Sequence, residues 1–483
     1  MKVIRTELVI KPDYKRVLYR PFTIASEERI TRIIGRILTL SEVEVKSELN
    51  QIITEFEERH QRLRKFYLNR FEQMKKYLLT DKPLSKDRKL LIGAYFTQEY
   101  SLESAALFNP SMVWHPDQSN LADGSRRFIM SLRATGEGHI SSITFRSGVI
   151  DKENNISIDI PSRYVSTSEN ISNQVYEKTL FEKKIIELDL LTEFAQKVID
   201  SLEEIFSYVD LEGIIKILLR TYRNKGVEIE LTSKAILSLA LSNYEIQYNS
   251  DQRLSERIIF PHSPSENNGI EDARFVEFID ENGQITYYAT YTAYDGKVIF
   301  PQLLETRDFL YFKISTLNGP EVRNKGMALF PRKINGLYAM ISRQDGENVY
   351  LMYSEHLHFW YSKQIILKPT YPWEFVQLGN CGSPIETDAG WLVLSHGVGA
   401  MREYSMGAFL LDKDDPSKVI GRLKEPLLTP NENEREGYVP NVVYSCGATI
   451  HDDELIIPYA MSDHASTIAK VNVKELIAEM LEK

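Results

Sequence analysis

Only two cysteines, Cys381 and Cys446, occur in 483 residues, too few for a disulfide framework or a zinc set and compatible with a reducing compartment. No stretch approaches the ~20 consecutive apolar residues of a membrane-spanning helix. Met1-Lys2-Val3-Ile4-Arg5 opens without the long apolar run of a secretory leader, so a soluble, cytoplasmic protein with no membrane partner is expected. Basic residues are outnumbered by acidic ones, 58 to 68. A net charge of −10 argues against a broad nucleic-acid footprint, although local cations can still hold a small anion. Also absent are a G-x-S-x-G elbow, H-E-x-x-H, a Walker loop and a dinucleotide fingerprint in a strand-to-helix setting. His356 and His358 have alternate-residue spacing, half a metal site with no third ligand marked out. No metal and no cofactor are expected.

What is present is the composition of an ordinary soluble protein, long enough for two or three domains or one large β architecture with additions. Residues 1–22 read as two short strands around Lys11-Pro12-Asp13-Tyr14. The period then changes from 2 to 3.6. Ser26 caps a helix with Ile30, Ile33, Ile34, Ile37 and Leu38 on one face, and Ser41 with Glu44 forms a capping box for the next. The stripe from Val45 through Leu49, Ile53 and Phe56 to Tyr67 predicts a long helix or a helical pair. From about residue 105 the texture is β, continuing through an alternation at Ile150, Ile156, Ile158 and Ile160. A helical block at about 178–243, rich in Ile and Leu, interrupts it as an insertion whose inner face must be buried. Thereafter Asp280–Gly283, Lys333–Gly336 and Asp388–Gly390 separate short apolar strands as hairpin turns. Serial hairpins without βαβ alternation favour a β-propeller or sandwich, in which residues far apart in sequence can meet. Residues 1–104 read as an N-terminal extension, 105–475 as the β domain and 476–483 as a helical tail.

Gly269-Ile270-Glu271-Asp272-Ala273-Arg274-Phe275 places two carboxylates and an arginine at the mouth of a strand, where a general acid would stand; a solvated turn has the same pattern. Arg133 ends a strand beside a glycine loop and could fork onto a sugar hydroxyl or a carboxylate. Lys325 precedes an apolar strand and Arg343 follows one, so the two could bracket an anion. His396 follows the apolar run Trp391–Leu394 and precedes glycines that allow close backbone approach. Tyr438, in the charged stretch Glu434–Asn441, and Asp463 complete the candidates.

In order along the chain, Phe108-Asn109-Pro110-Ser111, Ser131-Leu132-Arg133, Gly269–Phe275, Tyr291–Gly296, Asn324-Lys325-Gly326, Ser395-His396-Gly397-Val398, Leu411-Asp412 with Asp415-Pro416, Gly437–Tyr444 and Tyr459–Asp463 together resemble glycoside hydrolase family 130. The resemblance covers roughly residues 105–475, omitting the helical insertion. It implies a mainly β fold, a five-bladed β-propeller here carrying an N-terminal helical extension and an inserted helical segment. It implies an inverting phosphorylase that transfers mannose from a β-mannoside to inorganic phosphate, giving α-mannose 1-phosphate. A hydrolase of the same family, a β-1,2-mannosidase, is the alternative, and a non-catalytic carbohydrate-binding propeller is a second. Asp272 is implied as general acid, acting through a substrate hydroxyl. Asn109, Arg133, Glu271, Arg274, Tyr438 and Asp463 are expected on the sugar; Lys325, Arg343 and His396 are expected on phosphate. Inversion calls for a carboxylic acid of raised pKa opposite the nucleophile, and a hydrolase would need a second carboxylate to activate water. Glu374 and Glu436 are the candidates for that base. Ala273 stands where the family usually has proline, and Gln302 where many phosphorylases carry arginine. A small oligosaccharide is the expected partner, and the N-terminal helices point to a homo-oligomer.

Overall fold

The structure is a computed structural model that describes residues 1–171, 175–222, 226–295 and 299–482. Gly296, residues 223–225 of the expected insertion and Lys483 of the tail lie outside the described residues. Among those described, no helix is long and apolar enough to cross a membrane.

Hairpin-linked strands build five antiparallel-dominated sheets of four to six strands. The first begins with Ala106–Trp114, Arg126–Thr135 and Ser141–Ile150; the second runs Ile270–Ile279, Ile285–Tyr294, Ile299–Thr306 and Tyr311–Thr316, then reaches back to Tyr244–Gln247. The third holds Ala328–Leu329, Tyr338–Ser342, Val349–Ser354 and Gln364–Leu367, and the fourth Gln377–Asn380, Gly390–Val398, Tyr404–Leu411 and Val419–Arg422. Val443–Tyr444, Glu454–Met461 and Ala465–Asn472 start the fifth.

Each sheet touches the next. The Phe275 amide donates to Ser111 Oγ (3.1 Å) between first and second, and the Ile279 amide to the Pro331 carbonyl (2.8 Å) between second and third. Leu378 N to Glu347 O (3.3 Å) joins third and fourth, and Tyr404 N to Asn441 O (2.9 Å) joins fourth and fifth. The fifth returns to the first through Cys446 N to Pro110 O (2.8 Å). Segments distant in sequence therefore meet where the sheets touch. Strands covered on both faces read as continuous apolar runs, and Gly390–Val398 is buried throughout.

The extension expected at 1–104 is divided between two places. Val3–Ile10 pairs antiparallel with Ala465–Asn472, so the start of the chain completes the fifth sheet. Arg16, fully buried, pairs with Glu103, which also accepts from Arg146 Nη2 at 2.8 Å, tying this segment to the first sheet. Helices Glu27–Thr39, Glu42–Phe56, Leu63–Met74 and Lys86–Tyr95 bury a core of their own, including Ile34, Val45, Leu49, Tyr67, Phe71 and Leu91. The long stripe thus folds as a helical pair, interrupted before Leu63 with Arg62 in the left-handed region (φ 58°).

The insertion forms helices Lys178–Glu187, Glu193–Asp200, Tyr208–Thr221 and Val227–Leu241, and its inner face closes on itself around Phe181, Ile185, Phe194, Leu211 and Ile236. Two expected details change. Ile160 is 91% exposed, because its strand ends at Ile158 and Pro161 has no N–H to extend the ladder. The C-terminal helix begins at Val473, capped by Asn472, so the expected boundary at 475/476 falls inside it.

Candidate active site

Two bulges make the site. The ladder skips a step between Glu271 and Arg274 on one strand and between Phe108 and Ser111 on another. Within them Asp272 (φ 53°) and Asn109 (φ 49°) adopt the left-handed region, uncommon for non-glycine residues. Bulges re-aim side chains, and here they bring together residues 163 positions apart: Asn109 Nδ2 donates to Asp272 Oδ1 at 2.7 Å. Arg133 Nη2 donates to Glu271 (2.9 Å) and Nη1 approaches Asp272 Oδ1 (3.4 Å), while Lys325 Nζ reaches the other Glu271 oxygen at 3.4 Å. The site is therefore a chain of alternating charge, Lys325–Glu271–Arg133–Asp272, closed by the Asn109 amide. Glu271 is the supporting neighbour, holding two cations.

The protons are arranged differently from expectation. Burial by itself would raise the pKa of Asp272, but Arg133, Arg274 and Lys325, with the Asn109 hydrogen bond, bring it down to about 2. The raised carboxyl is Asp463, on the turn after Glu454–Met461 and also left-handed (φ 50°). Burial and the charge of Asp272 push it up to about 6, against the opposing pull of Arg133, Arg402 and Lys325. The acid expected with a raised pKa is ionised in the ligand-free protein because three cations surround it.

Several expected roles are corrected. Arg274 does not reach toward a sugar: it is buried, with Nη1 donating to the Asp272 carbonyl (2.9 Å) and Nη2 to the Tyr444 hydroxyl (2.7 Å). It fixes the backbone of the bulged acid from behind. Tyr444 escaped sequence reading as a functional residue, its only signal being its place at the end of Gly437–Tyr444. His396 is fully buried and sits edge-on to Tyr444 with ring centroids 4.9 Å apart. Burial, then Arg343 and Arg274, drive its pKa far down, so it is a neutral imidazole rather than a cation for phosphate; its Nε2 lies 3.1 Å from the Gln377 amide. Tyr438 is half-exposed and meets His139 Nδ1 at 3.0 Å, outside the acid–cation cluster.

Neither suspected base is placed to activate water. Glu374 is buried, caps a short turn at the Thr370 and Tyr371 amides and pairs with Arg422; Glu436 is exposed on its loop. Gln302 is buried and donates to the Ser242 carbonyl (3.3 Å) beside the insertion. His356 and His358 lie beside the insertion, and among the described residues no group of three His, Cys, Asp or Glu could hold a metal.

Arg343 stands beside Gly326, next to Lys325, and beside Gly379 and His396. It is 6% exposed, its Nε is buried without a partner, and among the described residues its guanidinium makes no ion pair. Glycines make the room. A Cβ at Gly326 would lie 2.5 Å from Arg343 Nε, and one at Gly379 2.8 Å from its Cδ. A buried cation with no carboxylate beside it is costly.

The description beta-1,4-mannooligosaccharide phosphorylase belongs to the glycoside hydrolase family 130 sequence model, which matches residues 216–482. A 1,2-beta-oligomannan phosphorylase from Thermoanaerobacter sp. (strain X514) is 36% identical over 232 residues, 46% of this chain and 75% of that protein. A beta-1,2-mannobiose phosphorylase from Listeria innocua is 29% identical over 263 residues, 52% of this chain and 70% of that protein. The solved structure of a Listeria innocua beta-1,2-mannobiose phosphorylase in complex with beta-1,2-mannobiose aligns with TM-score 0.47 and 22% identity, covering 79% of this chain and 93% of that one. The chain belongs to glycoside hydrolase family 130. Asn109 and Arg133 precede the matched residues, and folding brings them to Asp272.

Proposed function

We propose that this protein is an inverting β-mannoside phosphorylase, with β-1,2-manno-oligosaccharides as substrate and inorganic phosphate as co-substrate. The observation that carries this reading is Arg343, a buried guanidinium without a carboxylate partner, together with Lys325, whose side chain is 36% exposed. Phosphate brings its own nucleophilic oxygen, so cations rather than a second carboxylate are what its face of the site needs. The names of the two relatives above support the β-1,2 linkage over the β-1,4 linkage in the family description. The five sheets, each touching its successor and the last touching the first, are read as the blades of a five-bladed propeller with the site at its centre. A cytoplasmic location and self-association through the helical regions belong to the same reading; a monomer in sedimentation would remove the latter.

In the reaction, a phosphate oxygen forms a bond to the anomeric carbon as the bond to the leaving sugar breaks. Asp272 gives its proton to the leaving oxygen, through a substrate hydroxyl. The electron pair of the broken bond stays with the leaving oxygen, and the mannosyl group leaves on phosphate with inverted configuration. Asp272 must first be protonated. Phosphate supplies the means, because a dianion beside Arg343 and Lys325 offsets the positive charge that depresses the Asp272 pKa. Arg133 and Asn109 orient the carboxylate, and the Arg274–Tyr444 pair holds its backbone.

One observation favours hydrolysis. Asp463, with a pKa raised to about 6, is mostly ionised at pH 7 and suitably basic to activate water. One experiment separates the two readings: incubation with β-1,2-mannobiose with and without phosphate, assaying mannose 1-phosphate and free mannose. Mannose 1-phosphate formed only with phosphate is expected. Mannose release indifferent to phosphate would replace phosphorolysis by hydrolysis.

A further inference from the structure

A cleft of about 810 Å³ lies between the helical insertion and the second and third sheets. None of its lining residues belongs to the Asp272 cluster. The insertion is braced across it rather than packed into it. Lys184 Nζ donates to the Leu317 carbonyl (2.8 Å), Glu187 accepts from the Gly319 amide, and Lys183 Nζ stands 4.6 Å from the centre of the Phe359 ring. A volume of this size falls within the roughly 300–1,000 Å³ of small-molecule sites.

The lining narrows the ligand. Lys183, Lys184 and Lys313 are matched in number by Glu177, Glu305 and Glu355, so neither an anion nor a cation meets an excess of opposite charge. The cleft instead offers the phenols of Tyr288 and Tyr338 and the His358 imidazole beside the Phe359 ring. Burial and Lys313 lower the His358 pKa to about 4, so its ring is neutral near pH 7. Neutral donors and acceptors interleaved with aromatic rings suit a ligand whose hydroxyl edges alternate with C–H faces. We propose that this cleft is a second, non-catalytic binding site for a neutral oligosaccharide of the class the enzyme processes; the identity of that class rests on the functional reading above.

The test is calorimetric titration of the Asp272→Asn protein with β-1,2-mannotetraose. Two sites are expected. Adding Tyr338→Ala or Tyr288→Ala should weaken one of them at least tenfold, while the same changes in the wild-type background leave turnover of β-1,2-mannobiose unchanged, which also reports folding. A single site, or two sites that both survive these substitutions, overturns the proposal. Phosphate-dependent turnover with one binding site would remove the cleft and keep the catalytic reading. Two-site binding without turnover would do the reverse.

Discussion

The N-terminal helical unit and the meeting point of the five sheets are built on opposite terms. In the helices, polar groups are satisfied close by: Ser26, Ser41 and Ser85 each cap a helix, and Arg88 ties the Ile37 and Leu40 carbonyls to Glu42. At the centre, Asn109, Asp272 and Asp463 adopt left-handed backbone, and Arg133 Nε, Arg274 Nε, Arg343 Nε, Asn109 Oδ1 and His396 Nδ1 are buried without partners. Strain and unmet polarity persist only where the surrounding structure over-determines them, and such places are characteristically functional. One region holds its shape, and the other is held by everything around it.

The comparison can be broken most forcefully at Asp272. Asp272→Asn keeps the side-chain volume and removes the proton donor, so phosphorolysis of β-1,2-mannobiose should fall roughly 10²–10⁴-fold in initial-rate assays; a loss under tenfold would place the chemistry elsewhere. Next is Glu103→Gln, which strands Arg16 and Arg146 in the interior and should cost about 3–5 kcal/mol in urea denaturation. Burial would raise the Glu103 pKa, yet Arg146 and Arg16 outweigh it and hold the group below its ordinary value. Its stabilisation is thus complete above the unfolded carboxylate pKa and is lost as pH falls through the lower folded value, so the gap between wild type and variant should narrow in acid.

Arg343→Met should act in two directions: the phosphate KM rises about tenfold or more, the worth of a charge-assisted hydrogen bond of ~1.5–3 kcal/mol, while thermal stability increases because an unpaired buried cation is gone. Lower stability with unchanged phosphate KM would make Arg343 a structural residue. The smallest effect is expected in the self-contained region. Ser41→Ala removes a capping box and should cost about 1 kcal/mol with kcat/KM unaltered; a fall in activity would show that the helices are coupled to the site.

Much of this contrast was legible beforehand. The capping serines, the helical stripes, the hairpins and the E-D-x-R stretch are local signals, and each marks an element that formed. The same stretch also marked Glu271 and Asp272 as candidates for chemistry. Residue type and position do not reveal the surroundings of Arg274, His396 and Glu374, which come from other strands and loops: Tyr444 for Arg274, 170 positions away, the Gln377 amide and the Tyr444 ring for His396, and Arg422 for Glu374.

By itself the sequence determined most of the strands, helices and turns, though not every boundary, because periodicity, caps and turn residues act over a few positions. It also placed the acidic pair at the mouth of its strand. The tertiary structure alone decided that the first strand completes the last sheet, that the pKa of Asp272 falls while that of Asp463 rises, and that Arg343 is buried with no ion pair among the described residues. Those properties depend on which charges lie within a few ångströms and on how much water is excluded, and neither is specified until distant segments meet.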